Sequence, residues 1–293
     1  MELEQRFATE SACREYLAAL RWPEGFVCPR CQGRENLVVR RGLWRCLGCR
    51  REVSVAAGTI FQDSKLPLPV WFQVMWHLTV QKSGISAVGL QRMLGFGSYK
   101  TAWTVLHKLR RAMVRPGRER LKGVVEVDDT TWGGFEEGTR GRRIGKRALI
   151  IVAAEAEGNR IGRIRLRHIP DLSRETLHGF IVDTIEPGSI VKTDGLNSYR
   201  QLHGFVHDWQ VQRRHADYLM PRVHRVISLL KRWLLGTHQG AIDSDYLQDY
   251  FDEFTFRFNR RTSASRGKLF YRLAQQAVQI APTTYDALGK HNL

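Results

Sequence analysis

Apolar positions recur at three- and four-residue spacing from about Pro67 to Val114, and this spacing predicts helices. Trp71, Val74, Met75 and Leu78 make the first stripe, which breaks at Ser83-Gly84. Ser86 is placed to cap a short helix through Leu90, Met93 and Leu94, and Gly95-Phe96-Gly97 reads as a turn. Ser98 then opens a third helix through Ala102, Val105, Leu106 and Leu109, ending in Lys108, Arg110 and Arg111. A short helix, a glycine turn and a basic helix together suggest a helix-turn-helix, with Tyr99, Lys100, Thr101 and Trp103 at the front of the reading helix. An ordinary three-helix packing unit with a basic rim has the same pattern. Arg115 to Lys122 reads as a linker.

The pattern then changes period. Val124 to Asp128, Ala148 to Ala154 and Ile161 to Ile169 are strand-like, the last with apolar and basic residues alternating. A helix from Ser173 to about Ile185 and a strand from Ser189 to Asp194 follow, and helices dominate from Pro221 onward. Strands, a helix, a strand and more helices predict an α/β domain with a mixed central sheet.

Composition adds class and partner. The 293 residues suggest about two domains, and 43% hydrophobic with 26% charged residues is globular composition. The longest strictly apolar run, Ala148 to Ala154, is far short of the roughly 20 residues that span a bilayer. The opening Met-Glu-Leu-Glu-Gln is acidic and lacks the apolar core of a secretion signal, so a soluble cytoplasmic protein is expected. Net charge is +17 and pI about 10.2. Eleven basic and two acidic residues fall between Asp63 and Gly123, and ten basic and three acidic between Gly138 and Arg174. Two separate basic clusters favour nucleic acid as the partner over a merely solvated basic face.

Four of the five cysteines form one pattern, Cys28-x2-Cys31 and Cys46-x2-Cys49, with fourteen residues between. Each CxxC puts two thiolates on a tight turn, and the spacer can form a hairpin that brings all four sulfurs onto one Zn²⁺. So small a segment, about Arg21 to Thr59, needs such a metal to fold. A site closed by four thiolates is structural and leaves no position for substrate. Cys13 stands apart and reads as a small buried apolar residue.

Asp128 and Asp194 are expected at strand ends, where neighbouring carboxylates could hold hard divalent cations. Asp194 also fits a turn, because it opens Asp-Gly-Leu-Asn-Ser-Tyr. Asp129 is the neighbour of Asp128 on the opposite strand face, and Glu126 shares the face of Asp128 as a rival acid. Parity alone chooses none of them. On a helix starting near Pro221, His224, Ser228 and Lys231 lie within about 60° of one another. The apolar stripe of Val223, Val226, Ile227, Leu230 and Leu234 is centred about 110° away.

Val-Val-Glu-Val-Asp-Asp-Thr-Thr-Trp-Gly-Gly, Val-Lys-Thr-Asp-Gly, Ser-Leu-Leu-Lys-Arg-Trp-Leu-Leu-Gly-Thr-His and Asp-Glu-Phe-Thr-Phe-Arg-Phe-Asn-Arg-Arg, with Trp22-Pro23 and the cysteine knuckles, resemble the ISXO-like transposases. This is the insertion-sequence family called IS-fifteen-ninety-five, and the resemblance runs from about Arg21 to Arg261. It implies an N-terminal zinc ribbon, a helical DNA-binding segment and an RNase H-like catalytic domain of the DDE type. It points to Asp128 over Asp129. Many relatives carry Glu or Asn seven residues before the Lys of Ser-x-Leu-Lys; here that place is His224 and the Lys is Lys231. The chain resembles the branch whose set reads Asp, Asp, His, Lys.

The resemblance therefore implies Asp128, Asp194, His224 and Lys231 as catalytic residues. The first three would hold Mg²⁺ or Mn²⁺, with Mn²⁺ favoured by the imidazole. The implied partners are terminal inverted repeats and target DNA, handled near the nucleoid by a homo-oligomer that bridges two ends. Glu253 is the first substitute should His224 prove inert, while Asp252 and Glu253 otherwise read as solvated or structural. His215 reads equally as a histidine near DNA or the site and as a structural residue. The expected division is 1–62 with the ribbon, 63–122 helical, 123–261 catalytic and 262–293 a C-terminal extension. A zinc-ribbon regulator without chemistry, an inactive relic and a structure-selective nuclease are the competing readings.

Overall fold

The computed structural model describes residues 2–133, 147–209 and 220–288, which form two compact units. Among the described residues, the first unit is 2–115 with 263–288, and the second falls within 116–262.

In the first unit, α1 (Glu2–Arg6) and α2 (Glu10–Arg21) precede a three-stranded antiparallel sheet of β1 (Asn36–Val39), β2 (Leu43–Cys46) and β3 (Glu52–Val53). Three helices follow, α3 (Leu68–Val80), α4 (Ala87–Leu94) and α5 (Tyr99–Ala112). Ser86 caps α4 by accepting the Gly89 N–H at 3.1 Å. Gly95 ends α4 at φ +66°, the left-handed conformation that lets the chain reverse into α5. Arg110, expected on a basic surface, is instead buried, with Nη1 3.1 Å from His107 Nε2. It is therefore not part of any outward-facing basic patch. The expected C-terminal extension is not an appendage. Its helix α9 (Arg266–Ala277) buries Leu269, Phe270 and Leu273, and the Phe270 ring packs against Phe7, Tyr16, Phe72 and Trp76. The apolar positions of α9 complete a core that α2 and α3 leave open.

The second unit holds a five-stranded sheet built from β4 (Val124–Trp132), β5 (Ala148–Glu157), β6 (Arg160–Ile169), β7 (Ile190–Thr193) and β8 (Val206–Trp209). Its order is β6-β5-β4-β7-β8; β4, β5 and β6 are antiparallel neighbours, and β7 and β8 run parallel to β4. Helix α6 (Arg174–Thr184), capped by Ser173, covers one face through Leu177, Phe180 and Ile181 packed on Val125, Val127 and Ile151. Helices α7 (Pro221–His238) and α8 (Leu247–Phe258) cover the other, packing Val223, Val226, Leu230 and Phe251 on Ile150, Val152 and Ala154. This mixed sheet between helices is the RNase H-like arrangement.

Two details bear on the site. Strand β4 was expected to end at Asp128 but continues to Trp132, because β5 pairs with it along its length, out to Trp132↔Ala148. Its pairing with β7 stops at Glu126↔Lys192. Asp128 is thus inside a strand yet beyond its parallel neighbour. Second, α8 seals the edge of β6 with side-chain amides: Asn259, just past the helix, accepts from the Ile164 N–H (2.8 Å) and donates to its carbonyl (3.2 Å), and Gln248 accepts from the His168 N–H (3.0 Å).

Candidate functional site

The cysteine site is built by two matching knuckles. Cys28 N–H donates to the Gly33 carbonyl and Gln32 N–H to the Cys28 carbonyl; Cys46 and Arg50 repeat the second bond, each at 2.9 Å. Gln32 and Arg50, the residues after the second cysteine of each pair, both sit at positive φ, 60° and 58°. The sulfurs of Cys28 and Cys49 are 3.6 Å apart and those of Cys31 and Cys46 3.5 Å, with all four within 4.8 Å of one another. A tetrahedron with Zn–S of about 2.3 Å has edges of about 3.8 Å, so the set fits a structural zinc. Backbone N–H donors, those of Cys31 first and Arg30 after it, hold the Cys28 thiol down at about 6, so it is readily a thiolate. Cys13 is the opposite case: it is fully buried and its thiol is pushed up to about 12, chiefly by desolvation.

The acidic site lies on the α7 face of the large sheet. Asp128 pairs in register with Val152 and Glu126 with Ala154, and both of those partners belong to the core under α7. Asp129 points to the α6 face by alternation. Asp194 stands one residue past the end of β7, two beyond Lys192, while Asp128 lies within the adjacent parallel strand β4, two beyond Glu126, the partner of Lys192. His224, in the first turn of α7, brings Nε2 to 3.1 Å from Asp128 Oδ2. Asp128 is pushed up to about 6, first by desolvation, then by the charges of Asp129 and Asp194, with His224 pulling the other way. Its Oδ1 accepts the Asp129 N–H at 2.9 Å.

Asp194 makes the turn that the sequence allowed. Its Oδ1 accepts the Leu196 N–H at 3.0 Å, which makes the turn, while its charge is felt at Asp128. Thr193 supports it from behind, donating from Oγ1 to the Asp194 carbonyl at 3.0 Å with His207 Nε2 2.9 Å from the same hydroxyl. Among the described residues, only the four cysteines bring three or more ligand atoms within 4.8 Å of one another. Asp194 therefore stands back from the Asp128–His224 pair, and a shared cation requires its carboxylate to swing toward them. The donor set of two carboxylates and an imidazole suits a divalent ion.

Lys231 lies seven residues along α7 from His224, about 10 Å at helical rise. It lines a 640 Å³ hollow with Thr131, Trp132, Arg147 and Leu235, and desolvation lowers its ammonium pKa. Because Asp128 and Trp132 share a strand face, β4 and α7 run alongside each other from the acidic pair toward this hollow.

Glu126, the rival acid, proves to be a helix cap. It is 1% exposed, and its Oε2 accepts the N–H of Arg222 (2.8 Å) and of Val223 (2.9 Å), while Oε1 accepts from the Arg222 guanidinium at 2.9 Å. Pro221 at the first helical position marks where amides need an acceptor, but not which residue supplies it. Asp252 and Glu253 are not solvated, as one reading had it. Both are buried on α8, with Asp252 accepting from Gln248 at 3.0 Å, and α8 lies over the β6 edge, two strands from β4. His215 and residues 134–146, part of the second basic cluster, lie outside the described residues.

The mixed five-stranded sheet flanked by helices places the unit among the RNase H-like domains, with Asp128 inside β4, Asp194 just past β7 and His224 brought in by α7. A model described as the ISXO2-like transposase domain matches residues 120–259, and one described as the transposase zinc-ribbon domain matches residues 8–52. Two domain models of one transposase family thus match along this chain. It is 27% identical to an uncharacterized protein in the transposable element ISH50 of Halobacterium salinarum, over 86% of this chain and 91% of that protein. Among solved structures, a chain of the simian T-cell lymphotropic virus intasome in complex with PP2A regulatory subunit B56 gamma is 12% identical over 76% of this chain and 73% of that one. Its TM-score of 0.29 is too low to support any conclusion.

Proposed function

We propose that the chain is the DNA transposase of an insertion sequence, which binds the element's terminal inverted repeats and catalyses metal-dependent strand cleavage and strand transfer. The observation that carries this reading is the approach of His224 to Asp128, 3.1 Å, with a second aspartate one residue past the end of the adjoining strand. Asp128, Asp194 and His224 would hold two Mg²⁺ or Mn²⁺ ions. When bound, such ions activate an attacking water or 3′-hydroxyl and stabilise the leaving oxygen. Asp128 is buried and crowded by negative charge, so it gains most from a cation. Lys231 places a point charge about one to two nucleotides along the strand, where it would hold a phosphate flanking the scissile bond. The exposed front of α5, at Tyr99 and Lys100, with the ribbon, would grip the repeat sequence. Work on two ends calls for more than one copy, acting at the nucleoid.

The test uses DNA carrying the element's terminal repeats with Mg²⁺ or Mn²⁺. Cleavage at the repeat and joining of the freed 3′ end to target DNA are expected. Asp194→Ala should abolish both, by about 10³-fold or more, while end binding is kept. Binding without cleavage would instead leave a regulator or relic, and cleavage without joining a nuclease. Retained cleavage in Asp194→Ala would remove Asp194 from the site.

A further inference from the structure

The two free amides at the start of α7 are satisfied from another element, and this bears on the chemistry. Pro221 has no N–H, and the His224 N–H already donates to the Met220 carbonyl at 3.2 Å. The N–H groups of Arg222 and Val223 remain, and both donate to one oxygen of Glu126. The other Glu126 oxygen takes the Arg222 guanidinium, which also donates to the Gly158 carbonyl at 2.7 Å and the Arg160 carbonyl at 3.4 Å, in the β5–β6 turn. Helix α7 is thus pinned at its first turn to β4 and to the neighbouring hairpin. The pin lies two residues from Asp128 on the strand and one to two residues from His224 on the helix.

We propose that Glu126 is a positioning residue for the acidic site: it sets the register of α7 against β4 and so puts His224 at Asp128. Glu126 touches no reacting group. Buried at 1% exposure, its carboxylate is tolerable only because two amides and a guanidinium surround it. Those contacts occupy both oxygens, so an acid on the same strand face as Asp128 is kept from competing for the cation. The inference rests on the reading of Asp128, Asp194 and His224 as a metal-holding site.

Four full-length variants test it by two measurements: the cleavage rate of terminal-repeat DNA per folded molecule, and Mn²⁺ affinity without DNA, read from the electron paramagnetic resonance of free Mn²⁺. Glu126→Ala should lower the rate about a hundredfold, as expected for a misplacement of about 1 Å. It should weaken Mn²⁺ about tenfold, the usual scale for losing a residue that orients a ligand, and leave DNA affinity unchanged. Glu126→Gln keeps an oxygen for the two amides but turns an NH₂ group against the guanidinium, and should lose nearly as much. Adding Arg222→Met removes that clash, and the double variant should return to within about fivefold of wild type in both measurements. Leu234→Ala, in the buried stripe three turns further along α7, destabilises the helix without touching its start and should change neither measurement.

Unchanged rate and Mn²⁺ affinity in Glu126→Ala would overturn the proposal. So would equal losses in Leu234→Ala, which would reduce Glu126 to a stability role. A double variant as poor as Glu126→Ala would assign the loss to the charge itself and make Glu126 a ligand or base. If the wild type binds Mn²⁺ but does not cleave, the transposase reading fails, and the Mn²⁺ series alone decides on Glu126.

Discussion

Replacing Asp128 by asparagine should stabilise the chain while abolishing its chemistry, with a pH dependence that reveals the cause. In the folded chain Asp128 is pushed from its ordinary 3.8 to about 6 by burial and by its acidic neighbours. Below pH 3.8 the group is protonated whether the chain is folded or not, and both forms of the residue behave alike. Between 3.8 and about 6 the folded chain keeps a proton that the unfolded chain has released, so stability falls as pH rises; above about 6 the loss is complete. A shift from 3.8 to about 6 corresponds to roughly 3 kcal/mol at 1.36 kcal/mol per unit. For a unit of this size that is roughly 6 to 10 °C in melting temperature. The substituted amide carries no charge to desolvate and can still hydrogen-bond His224. Calorimetric melts of wild type and Asp128→Asn at pH 4 and pH 7.5 should therefore differ little at the first pH and by that amount at the second. Mn²⁺ should raise the wild-type melting temperature at pH 7.5 and leave that of Asp128→Asn where it is. An advantage for the variant that is equal at both pH values, or a variant less stable than wild type at pH 7.5, would refute the electrostatic account of the site.

Two other outcomes are expected. Cys31→Ser should cut bound zinc from one ion per chain to none, measured by atomic absorption, and unfold the β1–β3 sheet while the melting of the α/β unit is unchanged. Zinc supplies about 10 to 16 kcal/mol to such small sites, far more than the ribbon's own Trp22, Phe26 and Trp44 cluster can replace. His224→Glu should lower the ratio of Mn²⁺- to Mg²⁺-supported cleavage about tenfold, because Mg²⁺ prefers oxygen ligands; an unchanged ratio in strand-transfer assays would take His224 out of the metal shell.

What the sequence made plain is tied to strict local chemistry. The ribbon follows from cysteine spacing alone, and the strands and helices around Asp128, Asp194 and Pro221 follow from hydrophobic period. Choosing Asp128 over Asp129 needed the family resemblance, since alternation places each acid on one face without saying which face is the working one. The resemblance also carried His224, whose position among basic residues on a helix looks like ordinary surface. What stayed hidden depends on contacts far apart in sequence. Nothing local says that Glu126 will meet amides ninety-six and ninety-seven positions later, or that Asp252 and Glu253 will be buried over a strand edge. Strand β8 escaped as well, because four residues with an exposed Val206 and Trp209 carry too little pattern to read. Arg110 misled for the same reason: a cation near a helix end is normally outside, and here it is buried with His107 beside it.

The place of α9 has a consequence for how the protein is made. Its Phe270 belongs to the aromatic cluster of Phe7, Tyr16 and Phe72, yet it leaves the ribosome only after the entire RNase H-like unit has been translated. A nascent or truncated polypeptide ending anywhere before Arg266 carries the ribbon and α2 to α5 with their hydrophobic interior unfinished. The helical unit is thus completed last although most of it is synthesised first.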